Sequence, residues 1–351
     1  MVRHGSPPVN GFTVRLPSHD YGPRMTVRWG IAAPGRIAAE FAEGLALVDD
    51  AEIVAVGSRA KERADAFGDR FDIPNRYGSY DDLMEDPGVE VVYVATPHAQ
   101  HEEVVLRAIA GGKHVLCEKP FALNASQAAR MAAAARDRGV FAMEALWSRF
   151  LPSYRVLADL LRDERIGEPM VVEADFGFRA PFMPEHRLFD LAQGGGALLD
   201  LGIYPLQLCS LVLGTPDHVV GEGHVGETGA DEQVAAVLHH ARGRLGVIKA
   251  ATRVALTNTA RISGTDGWIE LPAPMHRPTR VGVGSGDSVD WIDADYEGEG
   301  LRFQAIEVHR CLAAGERESP VAPLDETIAL ARTMDDIRAQ IGVVYAADAP
   351  G

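Results

Sequence analysis

Short, nearly uninterrupted apolar runs alternate along the first part of the chain with longer stretches in which apolar residues recur every three or four positions. Thr26 to Ala32 reads as a strand; Pro34-Gly35 breaks it, and Ile37, Ala38, Phe41, Leu45 and Val48 then mark one face of a helix. Ile53-Val54-Ala55-Val56 is apolar throughout, as in a strand covered on both faces. The alternation continues with a helix from Lys61 to Phe71, a strand from Val89 to Ala95, a helix from His101 to Ala110 and a strand at Val115-Leu116-Cys117. An alanine-rich helix from Ser126 to Arg138 and a strand from Val140 to Ala145 complete it. Strand–helix alternation of this length predicts a parallel, doubly wound sheet over roughly the first 145 residues.

Beyond Trp147 the texture changes. A helix from Leu151 to Leu161 leads to a strand from Met170 to Phe176, and Gly194-Gly195-Gly196 opens a helix running to Leu213. Period-two runs follow at Val234–His239, Leu245–Ala251, Ala260–Ser263, Trp268–Leu271 and Arg280–Val283, separated by Gly, Asn-Thr and Asp-Gly turns. They predict an antiparallel sheet covered on one face. Two helices, Phe303 to Ala314 and Asp325 to Ile341, close the chain and must pack on elements already built.

A length of 351 residues allows two cores, and 46% apolar with 24% charged residues is the balance of an ordinary globular protein. With 34 basic against 50 acidic residues, the formal charge of −16 disfavours nucleic acid and anionic membrane as partners, though not a small anion met by a local cluster of arginines. Cys117, Cys209 and Cys311 lie far apart, form no CxxC pair and suit a reducing cytoplasm. No unbroken apolar run approaches the ~18 residues expected of a membrane helix. Residues 1–24, rich in Gly, Pro, His and Arg, have no signal-peptide core; they read as a disordered tail, with Met25 as an alternative start.

Candidate chemistry gathers where strands end, because an open parallel sheet binds ligands beyond the carboxyl ends of its strands. Gly30 to Ala38 joins the first strand to the first helix, the context of a dinucleotide turn. Ala33 stands where such turns carry their first Gly, and fits only at negative φ. Gly35 keeps the position at which backbone approaches a pyrophosphate, and Arg36 replaces the attraction that Pro34, lacking an N–H, cannot supply. The second strand ends in Val56-Gly57-Ser58-Arg59. A carboxylate there would bind the ribose of NAD, whereas Ser58 and Arg59 suit the 2′-phosphate of NADP; a helix cap and a surface arginine are the plainer reading. Ala95-Thr96-Pro97-His98 borders the nicotinamide half of the same crevice. His98 and His101 are two ligands, short of the three protein ligands a zinc site needs, and are not read as a metal pair.

Lys113 to Phe121 carries a short strand into Glu118-Lys119-Pro120, where Pro120 stops it and leaves a lysine at the sheet edge. After the triple glycine, Asp200 and Tyr204 are spaced i, i+4 and share a helical face. A buried Tyr bonded to an Asp explains that pair structurally. Beside Lys119, however, the phenol's pKa would fall from ~10 toward neutrality and equip it to move a hydroxyl proton.

Gly30–Ala38, the Thr-Pro-x-x-x-His run from Thr96 to His101, Glu118-Lys119-Pro120 and Gly194–Tyr204 occur in an order and at distances that resemble the Gfo/Idh/MocA oxidoreductase family. Met143–Pro152 and Tyr204 bring the resemblance nearest to its branch of dimeric dihydrodiol dehydrogenases, NADP-dependent xylose or glucose dehydrogenases and glucose–fructose oxidoreductase. The resemblance implies an α/β protein in two parts. Residues 25–147 would form a Rossmann doubly wound parallel sheet binding NADP, with NAD less favoured. Residues 148–345 would form an α/β domain with a large, mostly antiparallel open sheet that binds substrate and joins a homodimer or dimer of dimers, the last helices packing back on the first domain. Lys119 and Tyr204 would be the catalytic pair, with Asp200 orienting the Tyr or the substrate. Gly35, Arg36, Ile37, Ser58, Arg59, Thr96, Pro97, His98, His101, Glu118 and Lys119 would hold the cofactor, and Trp147 and Arg149 would flank the nicotinamide. Phe176, Arg187, Asp200 and Tyr204 would meet the substrate. The implied reaction is hydride transfer between NADP(H) and a carbinol or carbonyl carbon of a sugar, cyclic polyol or trans-diol. A non-catalytic dinucleotide sensor of the same fold is the alternative, and no metal is expected.

Overall fold

In the computed structural model, which describes residues 26–349, two sheets divide the chain. The expected tail over residues 1–24 and the alternative start at Met25 lie outside the described residues. Strands β1 (Val27–Ala32), β2 (Ala51–Gly57), β3 (Asn75–Tyr77), β4 (Val91–Val94), β5 (His114–Glu118) and β6 (Ala142–Ala145) form the first sheet in the order β3-β2-β1-β4-β5-β6, every pair parallel. Between them run α1 (Arg36–Leu45), α2 (Lys61–Phe71), α3 (Tyr80–Glu85), α4 (His101–Ala110) and α5 (Ala125–Arg138). The order reverses between β1 and β4, the switch point at which a doubly wound sheet opens a crevice.

Local chemistry explains these elements. β4 is buried at all its positions, as a central parallel strand must be. The long α5 starts where Asn124 accepts from the Gln127 amide and stops at Gly139, whose φ is 69°. β3 and α3 were not expected, because neither has an apolar period; α3 is set by the Ser79 side chain accepting from the Asp82 amide at 3.1 Å. Under the sheet, Phe41 stacks on Tyr93 at 3.9 Å and meets the edge of Trp29 at 5.3 Å. All three are fully buried, and burial of such side chains is worth ~1.5–3 kcal/mol each.

After α6 (Pro152–Arg162) the second sheet is built from β7 (Pro169–Gly177), β8 (His218–Val225), β9 (Asp231–His240), β10 (Arg244–Ala251), β11 (Ala260–Gly264), β12 (Trp268–Leu271), β13 (Arg280–Ser285) and β14 (Ser288–Asp293). The order is β14-β13-β12-β11-β7-β10-β9-β8, with β7 and β10 parallel and the remaining pairs antiparallel. Helix α7 (Ile203–Leu213) covers one face over β7 and β10; the other face alternates into solvent. The stretch Leu191–Leu213 is long and apolar enough by composition to cross a bilayer, but 89% of that window is buried in this core. The two edge strands β8 and β14 escaped the sequence reading, since five of eight and five of six residues there are exposed. Helices α8 (Arg302–Ala313) and α9 (Leu324–Ile341) return to the first sheet, α8 against α1 and α9 against α5 and β6.

The helix expected from the triple glycine is in two pieces. A π-helical turn over Leu198–Gly202 precedes α7. Pro205 has no N–H to give the Leu201 carbonyl, and the turn before it widens.

Candidate active site

The carboxyl ends of β1, β2, β4 and β5 open into a cavity of about 980 Å³, closed on its far side by the π turn, α7 and β7. Gly35, Arg36, Ile37, Ser58, Arg59, Thr96, Pro97, His98, Glu118, Lys119 and Trp147 line it from one side, and Phe176, Arg187, Asp200 and Tyr204 from the other. Residues drawn from distant parts of the sequence therefore share one crevice.

At the phosphate turn, Ala33 departs from expectation: its φ is +72°, not negative. Its amide donates to the Gly57 carbonyl at 3.0 Å and its carbonyl accepts from the Gly35 amide at 2.9 Å, so neighbouring strand ends impose the left-handed shape despite a cost of ~1–2 kcal/mol. Space beyond the turn suits a pyrophosphate. A Cβ built on Gly35 would meet no atom within 4 Å, and no side chain caps α1. Arg36 pairs with Glu40 at 2.8 Å, its side chain largely exposed. At the end of β2 the Ser58 hydroxyl accepts from the amide of Ala60, the N-cap residue of α2, at 3.3 Å, and Ser58 lines the cavity beside Arg59. Thr96 Oγ1 is buried in the cleft without a hydrogen-bond partner, a polar atom positioned for a ligand.

Around Lys119 the charges interlock. Its ammonium donates to the Asp200 carbonyl at 2.6 Å and to Asp200 Oδ1 at 3.0 Å, while Arg187 Nη1 reaches Oδ1 at 3.1 Å and His98 Nε2 lies 3.8 Å from it. Burial alone would raise the Asp200 pKa, but Lys119, Arg187 and His98 outweigh it and hold the carboxyl well below the usual range. Burial likewise works against the Lys119 charge, and Asp200 more than restores it, leaving the pKa raised. Burial keeps His98 neutral, its pKa pushed down to about 3, and its Nδ1 lies 3.1 Å from the Gly194 carbonyl. The triple-glycine turn is held further by Tyr345, whose hydroxyl donates to the Gly195 carbonyl at 2.8 Å, and by Asp231, which accepts from the Leu198 amide at 2.7 Å.

Tyr204 faces the same space: the Lys119 ammonium is 5.0 Å from its ring centroid, and its hydroxyl accepts from Trp147 Nε1 at 3.0 Å. The expected fall in its pKa is not found. Burial raises it above the ordinary phenol value, and the opposing pull of Lys119 is too weak to reverse this. The ammonium is already engaged by Asp200, which limits what it can do for the phenol.

Two residues placed at the cofactor by sequence do not line the cavity. His101 is fully buried, its ring nitrogens each 2.9 Å from the carbonyls of Thr96 and Pro120, where it braces the ends of β4 and β5. Arg149 does not flank the nicotinamide space; it is buried in a bidentate pair with Glu326 at 2.6 and 2.7 Å and bonds Gln207, tying α9 to α7. A guanidinium with five donors fits such a junction, and sequence spacing does not reveal it.

The cavity also includes Arg63, Tyr80, His276, Arg277 and Glu299, which the sequence reading passed over. Arg63 was within reach, being one turn beyond Arg59 on α2. Tyr80 lines the cavity with Arg59 from the unpredicted α3, and the paired Arg277 and Glu299 come from irregular loops with no pattern to read.

Such a crevice at the switch point of a parallel sheet, with a lysine, a phenol and a carboxylate facing one another across it, defines a dinucleotide-dependent oxidoreductase class. Residues 27–146 match the oxidoreductase family with an NAD-binding Rossmann fold, and residues 154–270 match the GFO/IDH/MocA C-terminal domain. The chain belongs to the Gfo/Idh/MocA oxidoreductase family. It is 40% identical over 335 residues to a trans-1,2-dihydrobenzene-1,2-diol dehydrogenase of Mus musculus, covering 92% of this chain and 99% of that protein. The Homo sapiens enzyme of the same name is 39% identical over 335 residues, with the same two coverages. A 3-ketoreductase from Actinomadura kijaniata, solved in complex with NADP and TDP-benzene, matches with a TM-score of 0.81 at 27% identity, over 90% of this chain and 98% of that one. An aldose-aldose oxidoreductase from Caulobacter crescentus shares the fold, with a TM-score of 0.81 at 24% identity, over 90% of this chain and 97% of that one.

Proposed function

We propose that the protein is an NADP(H)-dependent dehydrogenase that interconverts a carbinol and a carbonyl on a sugar, cyclic polyol or trans-diol. The observation that carries the reading is the convergence of Lys119, Asp200 and Tyr204 on the crevice beyond β5. Names of relatives agree with it: dihydrodiol dehydrogenases along most of the chain, and a ketoreductase bound to NADP. Residues 25–147 form the cofactor unit and residues 148–345 the substrate and assembly unit, working as a homodimer in the cytoplasm.

The residues present fit NADP. The open turn at Gly35 accommodates a pyrophosphate, Ser58 and Arg59 meet a 2′-phosphate, and the unpartnered Thr96 hydroxyl supplies a hydrogen bond. The bound nicotinamide would supply the hydride chemistry. Among the described residues the Tyr204 hydroxyl donates to no acceptor, so its proton is free for a substrate carbonyl oxygen. In reduction Tyr204 gives that proton as the oxygen gains charge; in oxidation it takes the carbinol proton. Lys119 stabilises the phenolate left behind, and Asp200 positions Lys119.

The test follows NADPH absorbance with a panel of aldoses, inositols and cyclic trans-diols, together with their ketones. Turnover of a member with NADP is the expected result. NADPH binding without turnover on any of them would favour the sensor reading instead.

A further inference from the structure

His276 stands on the loop between β12 and β13, where backbone contacts fix it on both sides. The Ser148 hydroxyl donates to its carbonyl at 2.6 Å, the preceding Met275 amide donates to the Asn258 carbonyl at 2.7 Å, and the Met275 carbonyl accepts from the Tyr154 hydroxyl at 3.2 Å. Its ring stacks on Phe176 at 4.3 Å, with an interplanar angle of 20°, and lies 5.1 Å from the Tyr204 ring and 5.9 Å from that of Trp147. Nδ1 is buried without a partner, and Nε2 has no hydrogen bond from any described residue, although the side chain borders the cavity.

The charged groups beside Tyr204 are already committed to one another, Lys119 and Arg187 to Asp200. The imidazole is therefore a polar group next to the phenol with its hydrogen-bonding capacity unspent, set in a wall of aromatic rings. Burial keeps it neutral, its pKa pushed down to about 3, with Arg277 and Lys119 acting in the same direction. In a neutral imidazole one nitrogen donates and the other accepts; with Nδ1 buried, Nε2 meets the cavity and, by tautomer, either donates to or accepts from a hydroxyl. In a vicinal diol the second oxygen sits about one hydrogen-bond length from the first, while the carbon ring between them presents apolar faces to aromatic walls. We propose that His276 binds the hydroxyl adjacent to the reacting carbon, so that the site selects vicinal diols over mono-alcohols. This rests on the dehydrogenase reading, with Tyr204 at the reacting oxygen.

The test compares kcat/KM for trans-cyclohexane-1,2-diol and for cyclohexanol, with NADP, in the native protein, His276→Phe and His276→Asn. Phenylalanine keeps the stack on Phe176 and removes the hydrogen bond. The diol-to-alcohol ratio should fall about tenfold in the Phe variant and recover in part in the Asn variant. An unchanged ratio overturns the proposal, whatever happens to absolute rates. Should neither compound turn over even in the native protein, the dehydrogenase reading is judged separately, on the wider panel of aldoses, inositols and cyclic trans-diols. Tryptophan-fluorescence titration of the NADP-loaded protein then decides: tighter binding of diol than of cyclohexanol, lost in His276→Phe, supports the hydroxyl contact, and equal affinities refute it.

Discussion

With its hydroxyl accepting from Trp147 and its ring beneath the Lys119 ammonium, Tyr204 keeps its proton through neutral pH. Its raised pKa has opposite consequences in the two directions. Carbonyl reduction, which needs the protonated phenol, should hold level from about pH 6 to about pH 9, whereas carbinol oxidation should climb with pH over that interval. Initial rates in both directions check this, and a reduction rate that drops near neutrality would contradict it. Tyr204→Phe should lower turnover by about 10²-fold or more while leaving NADP affinity nearly intact, as a proton-transfer group should. Arg59→Ala should raise the KM for NADP far more than that for NAD; equal changes would remove Arg59 from the 2′-phosphate site. At this scale the ends of strands were legible, because Gly35, Arg59, Thr96 and Lys119 all fall where a run of apolar residues stops. His101 and Arg149 were misplaced because their spacing shows which element they sit on, not which way the side chain leaves it.

Strand β6 is joined to α9 through Glu144, fully buried, whose carboxylate accepts from the Phe121 amide at 2.9 Å and the Thr327 hydroxyl at 3.0 Å. Burial pushes its pKa up to about 7 against those bonds. A carboxyl raised on folding contributes stability that is fully present below its unfolded pKa and is lost as pH rises through the folded value. That window runs from about pH 4.5 to pH 7. Glu144→Gln, which stays neutral, should therefore gain stability relative to the native protein between pH 5 and pH 8. A differential shift in Tm of about 2 °C or more is expected by calorimetry, and an identical Tm difference at both pH values would refute the buried-charge account. Elements with a strong apolar period, such as α2 and α4, matched their expected bounds. The short α3 and the edge strands β8 and β14 did not stand out, since α3 is only six residues long and most positions of the two edge strands are exposed.

The uncovered face of the second sheet bears most directly on assembly. Register places Val220, Val237 and Val247 side by side across β8, β9 and β10, and Val220 is 53% exposed. An apolar row on an open sheet is suited to a second copy of the same chain. For the proposed homodimer, Val237→Asp should convert a two-chain particle into a single-chain one by analytical ultracentrifugation. A native protein sedimenting as a single chain would rule out this dimer.

Apolar spacing along the chain determined by itself the parallel first sheet, the mostly antiparallel second one and the strand ends at which ligands gather, because burial demands a period and turns demand particular residues. The family too was legible there, in the ordered motifs from Gly30 to Tyr204. Only the folded molecule decided the proton chemistry and the walls of the crevice. Burial holds the phenol's pKa up against the pull of Lys119, and His276 arrives beside Tyr204 on a loop with no pattern of its own. Both outcomes depend on distance and burial between residues remote in sequence, quantities that a one-dimensional pattern does not contain.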